Sequence, residues 1–415
     1  MRILVIGSGG REHALVWKIA QSPSVTKLYC APGNPGMAAL SDLASIPVDD
    51  IDGLLRFVGE QGIDLTVVGP ELPLSLGIVD RFEEKGLKIF GPSRAAAQIE
   101  SSKVFSKRLM EKYGVPTARA EVVGIEDAYG RVTAMDLPVV LKVDGLAAGK
   151  GVVIAHTEKE VEEGLDFLRS IGDAATEMII EQFLEGVEAS FFVVTDGVHA
   201  IPVGTAQDHK AVFNGNRGPN TGGMGVVSPS PRMTPALEAE IMSKVIEPTL
   251  SGMAKEGMPY KGMLYAGLML TDRGVYVLEY NARWGDPEAQ ALLPRLKTDW
   301  VDTMLASIEG RLDSVQIDWE GGGSVCVVLA SGGYPGPYKK GEPISGLDGD
   351  FSDSLVFHAG TKRPEGQWQT SGGRVLGVTA VQPTVSEARQ QAYQTIAQIS
   401  FPGMHFRTDI AQDVP

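Results

Sequence analysis

The stretch Val275-Tyr276-Val277-Leu278-Glu279-Tyr280-Asn281-Ala282-Arg283-Trp284-Gly285-Asp286-Pro287-Glu288 decides how the chain is read. It begins as an apolar strand of alternating character and ends in a polar turn that opens a helix. Glu279 and Asn281 are two residues apart, so on a strand both side chains leave the same face. A carboxylate beside an amide oxygen suits a hard cation such as Mg²⁺, which takes oxygen ligands and shares them with substrate phosphates. Arg283 and Asp286 follow in the turn and set a cation and an anion beside that position. The stretch points to a place where a nucleoside triphosphate meets a second substrate. An edge strand with a solvated polar face is the bland alternative.

Composition bounds the answer. The chain has 415 residues, 43% hydrophobic and 21% charged, ordinary values for a globular protein of two to four domains. A net charge of −15 argues against wrapping nucleic acid, which needs a basic face. It leaves phosphate ligands open, since these need only local cations and backbone N–H groups. Cys30 and Cys326 lie far apart in apolar predicted strands and read as buried free thiols of a reducing compartment. No apolar run is long enough to span a membrane, and Arg2–Ile6 is too short for a signal segment, so a cytoplasmic protein is expected. The six histidines show no metal-ligand spacing. The oligomeric state is not legible; a monomer is the default expectation.

The first hundred residues alternate strand and helix, with turns at Gly7-Ser8-Gly9-Gly10, Pro32-Gly33-Asn34, Gly69-Pro70-Glu71 and Gly91-Pro92. That is the pattern of a parallel sheet with ligands at the carboxyl ends of its strands. A dinucleotide fingerprint fails, because Glu12 stands where the third glycine belongs and no acid follows the second strand. Further on, strand Val139–Val143 runs through Asp144–Gly151 into a second strand. This is not a Walker loop, since three residues rather than four separate its glycines and Gly151 follows the lysine. A glycine hairpin of this kind can cover phosphates as a lid, with Lys150 in the turn and Lys142 on the strand. Glu181 through Glu188 form a strand–turn–strand with acids at both ends. Asp208-His209-Lys210 and Gly218 through Gly225 fall in a long stretch without periodicity, whose glycines suggest backbone close to a ligand. A single helix is expected over Pro235–Ala254, and a hairpin pairs Leu264–Leu270 with Val275–Asn281. Glu320-Gly321-Gly322-Gly323 reads as a linker to a smaller strand-rich segment. There Gly372-Gly373-Arg374 sets an arginine beside glycine N–H groups.

In this order the segments resemble the ATP-grasp ligases, and within them the phosphoribosylamine–glycine ligase family, also called glycinamide ribonucleotide synthetases, of purine biosynthesis. The segments that carry the likeness include Gly7 through Ala14, Ala31 through Asn34, Val68 through Glu71, Lys142 through Gly151, Asp208 through Lys210, Gly218 through Gly225, Glu279 through Glu288, His358 through Thr361 and Gly372 through Leu376. They cover nearly the whole chain. The resemblance implies an α/β and α+β architecture with a parallel N-terminal α/β domain (1–101) and an ATP-grasp domain (102–323) carrying a lid (about 118–188). A β-rich C-terminal domain (324–415) would close the substrate site. It implies the ligation of glycine to 5-phosphoribosylamine, with ATP converted to ADP and phosphate through a glycyl phosphate, and Mg²⁺ (Mn²⁺ as alternative) as cofactor.

Carried over residue by residue, Lys103 and Lys142 resemble the phosphate lysines, and Gly149, Lys150 and Gly151 the phosphate lid. Glu181, Phe183 and Leu184 look like the adenine hinge, and Glu188 the ribose ligand. Glu279 and Asn281 resemble the metal ligands, and Arg283 the group that stabilises the phosphoryl in transfer. Asp208 or Asp286 would take the glycine ammonium, and Gly222 and Gly223 would line the substrate site. Glu71 would hold the ribose of phosphoribosylamine and Arg374 its phosphate, with Gly10, Arg11 and Glu12 lining the same pocket. Outside that carry-over, His209 is a candidate general base or simply a loop hydrogen-bonder. Ala211 stands where relatives carry arginine, and Gly267 near where many ATP-grasp enzymes carry another acid, which leaves two protein metal ligands. The rival readings are a related ligase that activates formate or bicarbonate and, from another class, a nucleotide-linked oxidoreductase.

Overall fold

The structure, a computed structural model, describes residues 1–132, 134–146, 151–171, 177–349 and 351–414. Strands β1 (Arg2–Gly7), β2 (Lys27–Pro32), β3 (Asp42–Leu43), β4 (Leu65–Val68) and β5 (Ile89–Phe90) form a parallel sheet in the order β3-β2-β1-β4-β5. Ile3 to Ile6 are fully buried, as a strand covered by helices on both faces requires. The carboxyl ends of β1 and β4 deliver Arg11 and Glu71 toward the middle of the molecule, as an open α/β sheet does with ligand-facing loops.

A second sheet is small and antiparallel. It contains β6 (Ala120–Gly124), β7 (Val139–Val143), β8 (Val152–Ala155) and β9 (Glu177–Gln182), in the order β6-β9-β7-β8. Helix Glu158–Ile171 covers it, and Val123, Leu141, Leu165 and Ile180 give it a core of its own.

The third sheet has eight strands. Its members are β10 (Val187–Asp196), β11 (Ala200–Asp208), β14 (Gly225–Ser228), β15 (Lys261–Thr271), β16 (Gly274–Asn281), β17 (Gly323–Ala330), β18 (Leu355–His358) and β21 (Arg374–Gln382). Their order is β16-β15-β10-β11-β14-β17-β21-β18. Two-stranded ribbons, β12 (Ala211–Phe213) with β13 (Arg217–Asn220) and β19 (Thr361–Lys362) with β20 (Gln369–Thr370), project from it.

Three expectations change. The Glu320–Gly323 stretch is not a free linker: Gly323 opens β17, which pairs with β14, so the sheet runs unbroken into the C-terminal segment. The stretch after Asp208 is not structureless, because ribbon β12–β13 occupies it. The helix from Pro235 is interrupted by a π-turn over Met242–Ile246. Pro248 has no N–H for the carbonyl four residues back, and its ring needs extra room there.

Gly262 of β15 passes the backbone of Gly91 after β5, and a Cβ at 262 would lie 3.1 Å from the Gly91 Cα. Its φ of +108° also disfavours any side chain. Gly262→Ala is expected to lower stability by on the order of 2 kcal/mol, read as a lower denaturant midpoint with unchanged slope.

Candidate active site

The site grows from an irregularity in β16. Gly267 pairs with Glu279 but Leu268 pairs with Val277, so Leu278 is an extra residue, a β-bulge. Before the bulge Val275 and Val277 enter the core; after it Tyr280 and Ala282 do. The inversion turns Glu279 and Asn281 out into a cleft of about 370 Å³ between the sheets and frees the Leu278 carbonyl to accept from Lys142 Nζ at 3.0 Å. Gly267 keeps this place open, since a Cβ there would lie 3.3 Å from Glu279 Cγ.

Around this pair the lysine-lined half of the cleft assembles. Helix Lys103–Lys112 is capped by Ser102, whose hydroxyl accepts from Phe105 N–H. It presents Lys103, whose ammonium donates to Gly145 O at 2.9 Å. Burial lowers the Lys103 pKa, and Glu279 opposes that shift. Glu181 bridges Lys142 at 2.7 Å and Lys107 at 2.8 Å. Burial pushes the Glu181 carboxyl up, but Lys142 and Lys107 more than offset it and hold it below the ordinary carboxylate value. The Glu279 and Asn281 side chains have no ion-pair or hydrogen-bond partner among the described residues, and no cluster of three acidic, histidine or cysteine ligands occurs among those residues. Two free oxygen donors beside lysines suit a divalent cation that completes its shell with phosphate and water.

The other half is built from three separated segments. Arg283 reaches Glu71 at 3.2 Å and Glu100 at 2.6 Å, and Arg11 lies 4.0 Å from Glu71. Arg374 of β21 donates to the carbonyls of Asp286 (2.7 Å) and Gly222, and pairs with the Asp286 carboxylate at 3.4 Å. Gln290 donates to the same carboxylate at 2.8 Å. Burial raises the Asp286 carboxyl, and Arg374 and Arg11 reverse this, leaving it below its ordinary value. Asp208 differs. Its Oδ1 is buried without a partner, its Oδ2 is 3.7 Å from Lys210, and burial pushes its pKa up to about 7 despite that lysine. Glu288 accepts from Tyr265 at 2.8 Å and Ser190 at 3.3 Å on the same wall.

Of the residues read from the sequence, Arg11, Glu71, Lys103, Lys142, Gly151, Glu181, Asp208, Gly222, Glu279, Asn281, Arg283, Asp286 and Arg374 line this one cleft. Glu12 sits behind it, buried against Gly9 N–H at 2.6 Å and bonded to Arg11. Gly10 packs on Gln290 and Gly223 on Pro287 and Asp208. Phe183 and Leu184 follow β9, and Phe183 meets the edge of His156. Glu188 is paired with Lys210 at 2.5 Å. Gly149 and Lys150 lie outside the described residues. His209 is not a wall residue. Its ring packs on Gly225 O, and burial lowers its pKa to about 4. Sequence reasoning missed Glu100, Lys107, Lys210, Tyr265 and Glu288. Two of these had a signal without a role: Glu288 closes the stretch that organises the chain, and Lys210 ends the Asp208-His209-Lys210 motif.

Comparison with known proteins agrees with this geometry. Sequence models of the N, ATP-grasp (A) and C domains of phosphoribosylglycinamide synthetase match residues 1–100, 101–289 and 324–413. Phosphoribosylamine–glycine ligase of Vibrio parahaemolyticus is 50% identical over 418 residues, covering 99% of this chain and 97% of the relative.

The chain belongs to the phosphoribosylamine–glycine ligase family.

The family's enzyme from Ralstonia nicotianae is 48% identical over 415 residues, covering 99% of this chain and 98% of its own. A crystal structure of phosphoribosylamine–glycine ligase from Thermotoga maritima matches with a TM-score of 0.87 at 35% identity, over 99% of this chain and 100% of that one. The biotin carboxylase domain of Hydrogenobacter thermophilus 2-oxoglutarate carboxylase, solved with MgADP and bicarbonate, shares the fold at a TM-score of 0.74 and 17% identity. It covers 99% of this chain and 97% of its own. As ATP-grasp enzymes, members of the phosphoribosylamine–glycine ligase family use ATP and a divalent metal. No described helix is long and apolar enough to cross a membrane.

Asp208 supplies a pH signature. Its pKa rises from 3.8 to about 7 on folding, so its protonated form favours the fold. That contribution is complete below pH 3.8 and is lost as pH rises to about 7. Asp208→Asn should therefore gain thermal stability relative to the parent as pH rises toward 7, with a flat difference above it, measured by melts of the unliganded protein.

Proposed function

We propose that the chain performs the reaction of its family, joining glycine to 5-phosphoribosylamine with conversion of ATP to ADP and phosphate, and that the two halves of the cleft divide the work. The observation that carries this reading is the pair Glu279 and Asn281, whose side chains have no hydrogen-bond or ion-pair partner among the described residues, between two lysines on one side and an arginine-rich pocket on the other.

Lys103 and Lys142 hold the triphosphate, with Gly149, Lys150 and Gly151 as its cover. Glu181, Phe183, Leu184 and Glu188 take the nucleoside end, where Lys210 is free to shift from Glu188 as a ribose arrives. Mg²⁺, or Mn²⁺ in its place, would be held by Glu279 and Asn281 and supplies charge neutralisation on the phosphates. The glycine carboxylate attacks the γ-phosphorus and the bond to ADP breaks, giving glycyl phosphate. Arg283 stabilises the charge on the phosphoryl group as it moves. The amine of 5-phosphoribosylamine then adds to the carbonyl carbon, and the bond to phosphate breaks.

Asp208 and Asp286 now separate. Asp286 is committed to Arg374 and Gln290, which leaves it to shape the phosphoribosyl pocket with Arg11, Glu71 and Arg374. Asp208, with one oxygen unpaired beside Gly222 and Gly223, is the acid for the glycine ammonium. Gly10 and Glu12 back this pocket from behind, Glu12 by fixing Arg11. Residues 1–101, 102–323 (with the lid at about 118–188) and 324–415 serve as acceptor, nucleotide and closing domains.

Purified protein should release ADP only when ATP, Mg²⁺, glycine and 5-phosphoribosylamine are all present. Equal release without glycine, or release driven by formate or bicarbonate, refutes the reading. Glu279→Ala should lower kcat about 10²–10³-fold with an unchanged circular dichroism spectrum, because charge neutralisation is needed most in the transition state. Normal turnover of that variant at ordinary Mg²⁺ would remove Glu279 from the metal site.

A further inference from the structure

Lys107 has no place in the division of labour above, yet it is among the most buried side chains of the protein, at 2% exposure. A lysine is almost never buried so completely without a partner set. Here the set is complete. Its three N–H groups meet Glu181 Oε1 at 2.8 Å, Thr117 Oγ1 at 2.7 Å and the Ala118 carbonyl at 3.1 Å. With no donor to spare, Lys107 is not a phosphate ligand. Lys142, by contrast, meets only Glu181 and Leu278 O among the described residues, which leaves one N–H for the cleft.

The positions of those three acceptors matter. The small four-stranded sheet is joined to the rest of the molecule at two crossings. The chain enters it through Thr117 and Ala118, just before β6, and leaves it along β9, which carries Glu181. One ammonium grips both crossings. It projects from helix Lys103–Lys112, which packs against β16 of the large sheet as well as against β9. On the entering side the grip continues. Thr117 Oγ1 donates to Val277 O at 2.9 Å, and Val277 N–H donates to Pro116 O at 2.8 Å. Both crossings of the small sheet therefore meet at one fixed charge.

We propose that Lys107 is the pivot of the small sheet and the positioning residue that keeps Glu181 neutralised while Lys142 turns toward the nucleotide phosphates. The inference rests on the functional reading above for the identity of the nucleotide. A buried carboxylate stripped of its last cation is strongly unfavourable. Lys142 can leave Glu181 for a phosphate only because Lys107 stays behind. Without it, Lys142 is held back on Glu181, and the two crossings lose their common anchor. The sheet then closes poorly over the acyl phosphate and water gains access. Water adds to the carbonyl carbon, the bond to phosphate breaks, and glycine and phosphate are released without product.

The test is stoichiometry. ADP and glycinamide ribonucleotide are measured in one sample with ATP, Mg²⁺, glycine and 5-phosphoribosylamine. The parent is expected to make them in equal amounts. Lys107→Met should raise the KM for ATP about tenfold and release about twice as much ADP as product or more, whereas Lys107→Arg should restore most of the coupling. A loss of general stability would lower activity without changing that ratio. A folded Lys107→Met with equal ADP and product and an unchanged KM for ATP overturns the proposal. Should Lys107→Met lack a cooperative melt, Thr117→Val removes one grip and keeps every charge. It should show the same two changes to a smaller degree, and neither change there also overturns it. If the parent shows no glycine-dependent ADP release, the functional reading fails. The pivot is then tested by calorimetry with Mg·ATP, where Lys107→Met should bind about tenfold more weakly, and equal affinity refutes it.

Discussion

A guanidinium taken out of water must be compensated, and Arg283 is compensated from two directions. Glu71 comes from the carboxyl end of β4 and Glu100 from helix Arg94–Ser101, and both carboxylates close on the same side chain. The second oxygen of Glu100 accepts the Ala282 N–H at 2.7 Å, so backbone and side chain of the turn are held together. Shifting that turn would leave buried charges unpaired. The consequence runs upstream and downstream. Asn281 and Glu279, one and three residues before Ala282, cannot drift along the cleft. Asp286, three residues after Arg283, is delivered to Arg374 from the far end of the chain. One ion pair network thus fixes the distance between the nucleotide half and the acceptor half.

The same logic explains how a chain of net charge −15 binds two phosphate-bearing substrates. Its cleft gathers Arg11, Lys103, Lys107, Lys142, Lys210, Arg283 and Arg374, and most of them rest on acids: Lys142 on Glu181, Lys210 on Glu188, Arg374 on Asp286. These acids neutralise the cations and keep their long side chains ordered in the cleft. A cation already ordered by a carboxylate loses less side-chain entropy when it meets an anionic ligand than a loose lysine would. Glu279 breaks the pattern, since its carboxylate meets no cation at ion-pair distance among the described residues.

How much of this was legible follows from which forces act locally. The alternation of Val275, Val277, Glu279 and Asn281 reports a strand because its period is two, and the turn at Asp272-Arg273 closes the hairpin as read. The parallel N-terminal sheet was legible from strands punctuated by glycine turns. The bulge at Leu278 was not, since it depends on pairing with a strand that has Gly267 at the decisive place. Nor were Lys107 and Glu100, which look in sequence like ordinary charged residues on solvated helix faces. Only tertiary packing buries them. Ribbon β12–β13 escaped notice because its strands are three and four residues long, too short to show a period. The different surroundings of Asp208 and Asp286 were not legible either, because only the fold brings Arg374 to Asp286 and leaves Asp208 Oδ1 without a partner among the described residues.

The N-terminal sheet shows how a familiar pattern can be turned to another use. Its strand order and its glycine turn after β1 are those of a nucleotide-binding fold, and the amino end of helix Gly10–Ile19 would favour an anion. The anion is supplied from within. Glu12 folds back so that its carboxylate accepts from Gly9 N–H, and a Cβ at Gly7, Gly9 or Gly69 would lie within 3 Å of it. The glycines make room for a side chain, not for a pyrophosphate. Glu12 then binds Arg11, and Arg11 donates to Trp284 O at 3.2 Å, which carries the restraint across to the turn beyond Arg283. The residue that spoils a dinucleotide fingerprint is therefore the one that holds the Arg11 guanidinium at the wall of the cleft.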